Sequence, residues 1–289
     1  MKLALGTVQL GLPYGINNTQ GVPSSQEIKE IFDLANHAGI NLLDTAMEYG
    51  DSELKIGEFS SNRFNVVTKL PQVPLGSRYD KSWLFNSINS SLSKLKSKSI
   101  YGVLLHRPSQ LFESFGAKLY EDLLSLKAEK VVEKIGISIY EPSELDNILT
   151  HFDFDIVQSP FNILDNRLLT SGWLNRLNSQ EVEVHIRSVF LQGLLLMDAK
   201  FRPLKFDKWK SVWDKYDSWI KENNSTSIEA CLSYVNSFDK INKVIVGVDN
   251  QSQLQAILNS NTKLINERPI EFDDLDSRLL SPSNWNDLN

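Results

Sequence analysis

Eight short runs of aliphatic and β-branched residues, separated by segments with apolar residues at helical spacing, predict an α/β protein built as an eight-stranded parallel (β/α) barrel of the TIM type. Two further observations support that architecture. No Gly/Ser tract, charge run or low-complexity stretch divides the 289 residues, so residues 1–289 read as a single barrel domain with 261–289 as a polar C-terminal extension on the surface. Ionisable side chains also gather at the carboxyl ends of the strands, the end where such folds build their sites.

The elements follow in order. Leu3 to Gly6 is the first strand, and Thr7 to Gly11 leads into a loop rich in Gly, Pro and Asn that runs to Pro23. Two serines then precede an amphipathic pattern, Ile28, Ile31, Phe32 and Ala35, with Gly39 as the helix stop. Asn41 to Thr45 is the second strand, followed by a loop carrying Tyr49 and Gly50 and a helix from Ser52 to Phe59. Phe64 to Leu70 is a β-branched run stopped by Pro71, and Lys81 to Lys96 is the helix after it. Tyr101 to His106 is the fourth strand, closed by Arg107-Pro108, with a helix over Phe115 to Lys130. Lys134 to Ser138 and Asp155 to Gln158 are the fifth and sixth strands, with helices over Pro142 to Leu149 and around Leu168 to Leu177. Glu181 to Phe190 reads as the seventh strand, two helices cover Trp209 to Ile220 and Ile228 to Phe238, and Lys243 to Gly247 is the eighth strand before a helix at Gln251 to Leu258.

Composition narrows the function. With 30 basic against 36 acidic residues and no basic block, a nucleic-acid partner has no electrostatic footprint. The one cysteine, Cys231, excludes an intramolecular disulfide and sits in an apolar helical pattern as a packed thiol. No apolar run reaches the ~18 residues of a membrane span, so a cytoplasmic protein with no membrane partner is expected.

Asp44, Tyr49, Lys69 and His106 lie at or just beyond the ends of strands two, three and four, which neighbour one another in a barrel. Reducing a carbonyl by hydride leaves an alkoxide that must be protonated as it forms, and a phenol of pKa ~10 is a poor acid until its surroundings adjust it. A lysine ammonium held by a carboxylate stabilises the developing phenolate, and an imidazole can orient the carbonyl by a hydrogen bond. The four residues therefore suit carbonyl chemistry. His185 is expected to face the barrel interior beneath Arg187 as a satisfied core histidine, and His37 and His151 lack partners at metal-ligand spacing. Trp209 and Trp213 follow strand seven, where they are expected to pack or to line a substrate mouth.

In Leu5-Gly6-Thr7, in Asp44-Thr45-Ala46 with Tyr49-Gly50, Ser52-Glu53 and Ile56-Gly57, in Lys69 and in Leu104-Leu105-His106-Arg107-Pro108, the sequence resembles the aldo-keto reductase family over nearly its whole length. The resemblance implies an oxidoreductase that uses NAD or NADP, without metal, to reduce a carbonyl to an alcohol or the reverse. Asp44, Tyr49, Lys69 and His106 would form its catalytic tetrad, with Tyr49 the general acid/base. It also implies cofactor contacts from Gly6 and Thr7, from Ser138 and Gln158 toward the nicotinamide carboxamide, from Ser188, Gln192, Gly193 and Leu194 toward the pyrophosphate, and from Gly247, Asp249 and Gln253 toward the adenosine ribose. Ile139 stands where the family's asparagine is expected, and Arg187 stands where relatives stack an aromatic ring on the nicotinamide. Asp249, without the basic residues common in its segment, implies weak discrimination between NAD and NADP or a preference for NAD. The permanent charge of Arg187 suits an anionic substrate, and the polar loops a sugar-like one. Two other readings stay open: a cofactor-binding regulatory subunit with little turnover, and a redox-neutral epimerase that retains its nicotinamide.

Overall fold

The computed structural model describes residues 1–60, 63–74, 76, 78–261, 272 and 275–288. Eight strands, Leu3–Gly6 (β1), Leu42–Asp44 (β2), Asn65–Leu70 (β3), Ile100–Leu105 (β4), Val132–Ser138 (β5), Ile156–Pro160 (β6), Glu183–Arg187 (β7) and Lys243–Gly247 (β8), pair in sequence order into a closed parallel barrel. Closure is made by β1 against β8, with Leu3 to Gly6 opposite Val244 to Gly247. Both faces of every strand are covered, which is why the strands read as near-continuous apolar runs rather than as strict alternation.

Ser25–His37 (α1) shows how the local sequence sets a helix. The Ser24 hydroxyl caps it by accepting from the Glu27 amide at 3.2 Å, and Ile28, Ile31, Phe32 and Ala35 bury one face against the barrel. Ser52–Phe59 (α2), Lys81–Leu95 (α3), Gly116–Ala128 (α4), Glu144–His151 (α5), Trp173–Ser179 (α6), Lys210–Glu222 (α7), Ser227–Asn236 (α8) and Gln251–Ser260 (α9) complete the ring. Among the described residues no helix is long and apolar enough to cross a membrane.

Period-two alternation divides the strand side chains into two sets. The outward set joins the helices in the main core, while Ala4, Leu42, Val67, Leu104, Ile156 and Ile245 form a separate apolar plug inside the barrel. Below the plug, Tyr101, Lys134 and His185 converge on Glu183: the Tyr101 hydroxyl donates at 2.9 Å, and His185 Nε2 lies 3.1 Å away. Burial pushes the Glu183 carboxyl up, but these donors outweigh it and pull the group down to about 2. His185 is fully buried as expected, yet only half satisfied, since its Nδ1 finds no partner among the described residues.

Two differences from the sequence reading have local causes. The seventh strand ends at Arg187 rather than Phe190, because Ser188 (φ 61°) turns into the left-handed region, followed by Leu191 (φ 47°) and Gln192 (φ 54°). Of the two placements expected for Trp209 and Trp213, packing holds: they are buried beside Phe206, whose ring lies 4.9 Å from that of Trp285. Of the C-terminal extension, residues 262–271, 273, 274 and 289 lie outside the described residues. The part that is described turns inward, burying Leu279, Leu280 and Trp285. Cys231 is buried in α8 beside the Tyr216 hydroxyl, and burial pushes its thiol up to about 12.

Candidate active site

The plug dictates the site. Moving two residues along each strand from Ala4, Leu42, Val67, Leu104, Ile156 and Ile245 gives Gly6, Asp44, Lys69, His106, Gln158 and Gly247, and all six line one cavity at the carboxyl-terminal mouth of the barrel. The same step from Gly136 and His185 gives Ser138 and Arg187, which line it too. The cavity measures about 510 Å³. The loop after β2 adds Tyr49 to its wall, and Leu280, Ser281, Pro282 and Ser283 of the C-terminal segment form part of its rim.

Lys69 is buried, and its ammonium donates to Asp44 Oδ2 at 2.6 Å and to the Thr45 carbonyl at 2.9 Å. The second oxygen, Asp44 Oδ1, accepts from Gln158 Nε2 at 2.6 Å, and Gln158 Oε1 in turn accepts from the Ser138 hydroxyl at 3.1 Å. Gln158 thus holds Asp44, a link the sequence pattern did not show. Lys69 Nζ sits 5.1 Å from the Tyr49 ring centroid, and the His106 ring meets Tyr49 edge-on at 6.1 Å. Asp44, Tyr49, Lys69 and His106 therefore converge.

Buried hydroxyls fix the loop that carries Tyr49. The Ser52 hydroxyl donates to the Thr7 carbonyl at 2.9 Å and lies 3.0 Å from the Thr45 hydroxyl, tying α2 to the ends of β1 and β2. Glu53 is buried and accepts from Thr68 and Ser91 at 2.8 Å each, pinning α2 to β3 and α3. Gly11 lets the segment after β1 lie against this loop, for a Cβ there would fall 1.8 Å from the Tyr49 carbonyl oxygen.

Charge in the cavity is lopsided. Burial depresses Lys69, with Asp44 opposing the shift, and burial raises Tyr49, so the phenol stays protonated through the neutral range. Burial and the Lys69 charge lower His106 to about 4, against the pull of Glu48, whose Oε2 lies 2.9 Å from His106 Nδ1. Arg187 donates to the Ile139 carbonyl at 2.9 Å and stacks over Tyr140 at 4.9 Å, and among the described residues no carboxylate pairs with it. Glu48 and Tyr140 escaped the sequence reading because neither belongs to a strand-end pattern.

The cofactor positions expected from sequence fall mostly on the same wall. Gly6, Thr7, Ser138, Gln158, Arg187, Ser188, Gln192, Gly193, Gly247, Asp249 and Gln253 line the cavity. Leu194 does not: it is fully buried in the core, because the left-handed turn at Gln192 and Gly193 sends the next side chain inward. Asp249 accepts from Asn18 at 3.0 Å and from Gln253 at 3.3 Å, which anchors the β1 loop to the start of α9. The residues suit an elongated dinucleotide: small residues border the mouth at Gly6 and Gly247, and a buried amide oxygen, Gln9 Oε1, is left without a partner among the described residues beside Gly247.

The aldo/keto reductase family model matches residues 2–276, and the chain belongs to that family; it is an oxidoreductase. Its structure is similar to a putative aldo-keto reductase from Pseudomonas aeruginosa, at TM-score 0.66 and 20% identity over 90% of this chain and 89% of that one. It is also similar to the holo form of an aldo-keto reductase from Bacillus halodurans (TM-score 0.70, 20% identity, 99% and 91% of the chains) and to a glycerol dehydrogenase from Gluconobacter oxydans (0.70, 19%, 92% and 88%). No curated protein matches the sequence.

Proposed function

We propose that the protein reduces a small carbonyl compound to an alcohol, or runs the reverse, with Tyr49 as general acid/base. The observation that carries this reading is the buried Asp44–Lys69 pair at 2.6 Å with the Tyr49 ring beside the ammonium on the cavity wall. A nicotinamide cofactor would supply or accept the hydride. Tyr49 delivers its proton to the substrate oxygen, Lys69 stabilises the phenolate left behind, and Asp44 keeps the lysine charged against the cost of burial. His106 borders the place where that oxygen would sit. Ser138 and Gln158 would hold the carboxamide, and the backbone of the loop from Ser188 to Gly193 the pyrophosphate.

Asp249 supports NAD over NADP, since a carboxylate near the adenosine ribose accepts from hydroxyls and repels a 2′-phosphate. Arg187, free of any carboxylate among the described residues, supports an anionic substrate. Small polyols also belong in the test panel, since one structural neighbour bears the name glycerol dehydrogenase.

The test is net turnover. Purified protein with reduced cofactor and a panel of neutral and acidic aldehydes should oxidise the cofactor, and Tyr49→Phe should lose about 10²–10⁴ of the rate while still binding it. Tight binding without turnover in the wild type, or full rates in the Phe variant, overturns the reading.

A further inference from the structure

Glu48 precedes Tyr49 in the loop after β2, and its half-exposed carboxylate meets His106 at 2.9 Å from Nδ1. A carboxylate only accepts hydrogen bonds, so Nδ1 must be the donor and carry a proton. In a neutral imidazole that leaves Nε2 as a bare lone pair. Among the described residues Nε2 has no protein partner, and His106 lines the cavity. We propose that Glu48 is a positioning residue that holds His106 as the Nδ1–H tautomer, so that the neutral site accepts a hydrogen bond from a substrate hydroxyl and favours the alcohol over the carbonyl form.

The inference rests on the oxidoreductase reading of the same cavity. A carbonyl oxygen offers only lone pairs, and it meets Nε2 favourably only when the ring carries a second proton. The groups around His106 resist that proton: Lys69 from β3 and Arg187 from β7 are cationic, while Glu48 favours the imidazolium. Burial acts in the same direction as the two cations. The resting ring is therefore neutral and polarised, with its proton turned toward Glu48 and its lone pair left for the substrate. A partly exposed pair of this kind adds little to stability, so its signature lies in the tautomer and in ligand choice rather than in the melting temperature.

The tautomer can be read without any substrate. The sequence has four histidines, so long-range proton–nitrogen correlation on ¹⁵N-labelled protein at neutral pH, with His106 assigned by loss of its signals in His106→Asn, reports both ring nitrogens. The expected result is a protonated Nδ1 and an unprotonated Nε2 in the wild type, with that polarity lost in Glu48→Ala and weakened in Glu48→Gln. For a matched carbonyl and alcohol pair, the ratio of the carbonyl KM to the alcohol KM should fall about tenfold in Glu48→Ala, the effect of one hydrogen bond. An Nε2–H tautomer in the wild type overturns the proposal, as does a Glu48→Ala ring that keeps its polarity or a shifted tautomer with an unchanged KM ratio. If no carbonyl or alcohol is turned over at all, the catalytic reading falls, while the nitrogen shifts still decide the role of Glu48.

Discussion

In the proposed mechanism the site depends on Lys69 both chemically and structurally. Removing one partner of a buried ion pair strands the other charge, so Lys69→Met should destabilise the protein by about 3–5 kcal/mol as well as abolish turnover. Adding Asp44→Asn removes the stranded charge, and the double variant should recover most of the stability but none of the activity. Urea titrations of the three proteins check the first claim, and a double variant no more stable than Lys69→Met would show that the loss has another cause. The titrating groups set the pH dependence. Because burial holds Tyr49 protonated, the acid proposed for reduction is present at roughly pH 6–9 and that rate should be flat, whereas oxidation by the proposed route needs the phenolate and should rise with pH. A reduction rate that falls across that window would place the acid elsewhere. His106 has a stability sign of its own. Its folded value of about 4 lies below the unfolded ~6.5, so the unfolded chain takes up the proton first and stability is lost as pH falls through that interval. Comparing urea midpoints at neutral and mildly acidic pH, the wild type should lose more than His106→Asn.

At the scale of elements, β5 and the end of β7 matter most. A Cβ at Gly136 would lie 2.3 Å from the Ile156 carbonyl oxygen and 2.5 Å from Leu104 Cδ2, so the strands on either side of β5 close onto a residue with no side chain. Gly136→Ala should therefore cost about 1–3 kcal/mol through overpacking, read as a lower urea midpoint with an unchanged slope. An unaltered midpoint would show that β4 and β6 can part without penalty. The end of β7 presents Arg187 to the cavity, braced by the Ile139 carbonyl and the Tyr140 ring, with no acid paired to it among the described residues. Arg187→Tyr should raise KM for an acidic carbonyl roughly tenfold to a hundredfold, as expected for losing a charge-assisted hydrogen bond, and leave a matched neutral substrate alone. Equal effects on both substrates would make Arg187 a structural residue of the rim.

For the whole molecule, the cavity wall draws on strands from around the barrel and on the C-terminal segment, so a ligand filling it stabilises the fold as a unit. At a hundred times its Kd a dinucleotide adds about 2.7 kcal/mol, visible as a rise in melting temperature. With Asp249 on the cavity wall in its proposed role at the adenosine ribose, NADH should raise it at least as much as NADPH, and a clearly larger rise with NADPH would remove Asp249 from that role. What the sequence determined by itself is whatever depends on local periodicity. Short apolar runs set the eight strands, and the two-residue period puts Asp44, Lys69 and the other strand-end residues on the inner face, one step above the apolar plug. The signature around Asp44 also marked Tyr49, although Ser52 and Glu53 within it turn out to be fastenings for its loop. What only the tertiary structure decided is everything set by barrel closure and by loop paths. Gln158 reaches Asp44 across 114 positions, Glu48 turns toward His106, Arg187 lies on Tyr140, Leu194 dives into the core, and the C-terminal segment returns to the rim. The reason is physical. Alternation along a strand records which face a side chain takes, but not which distant strand will stand opposite it once the sheet closes.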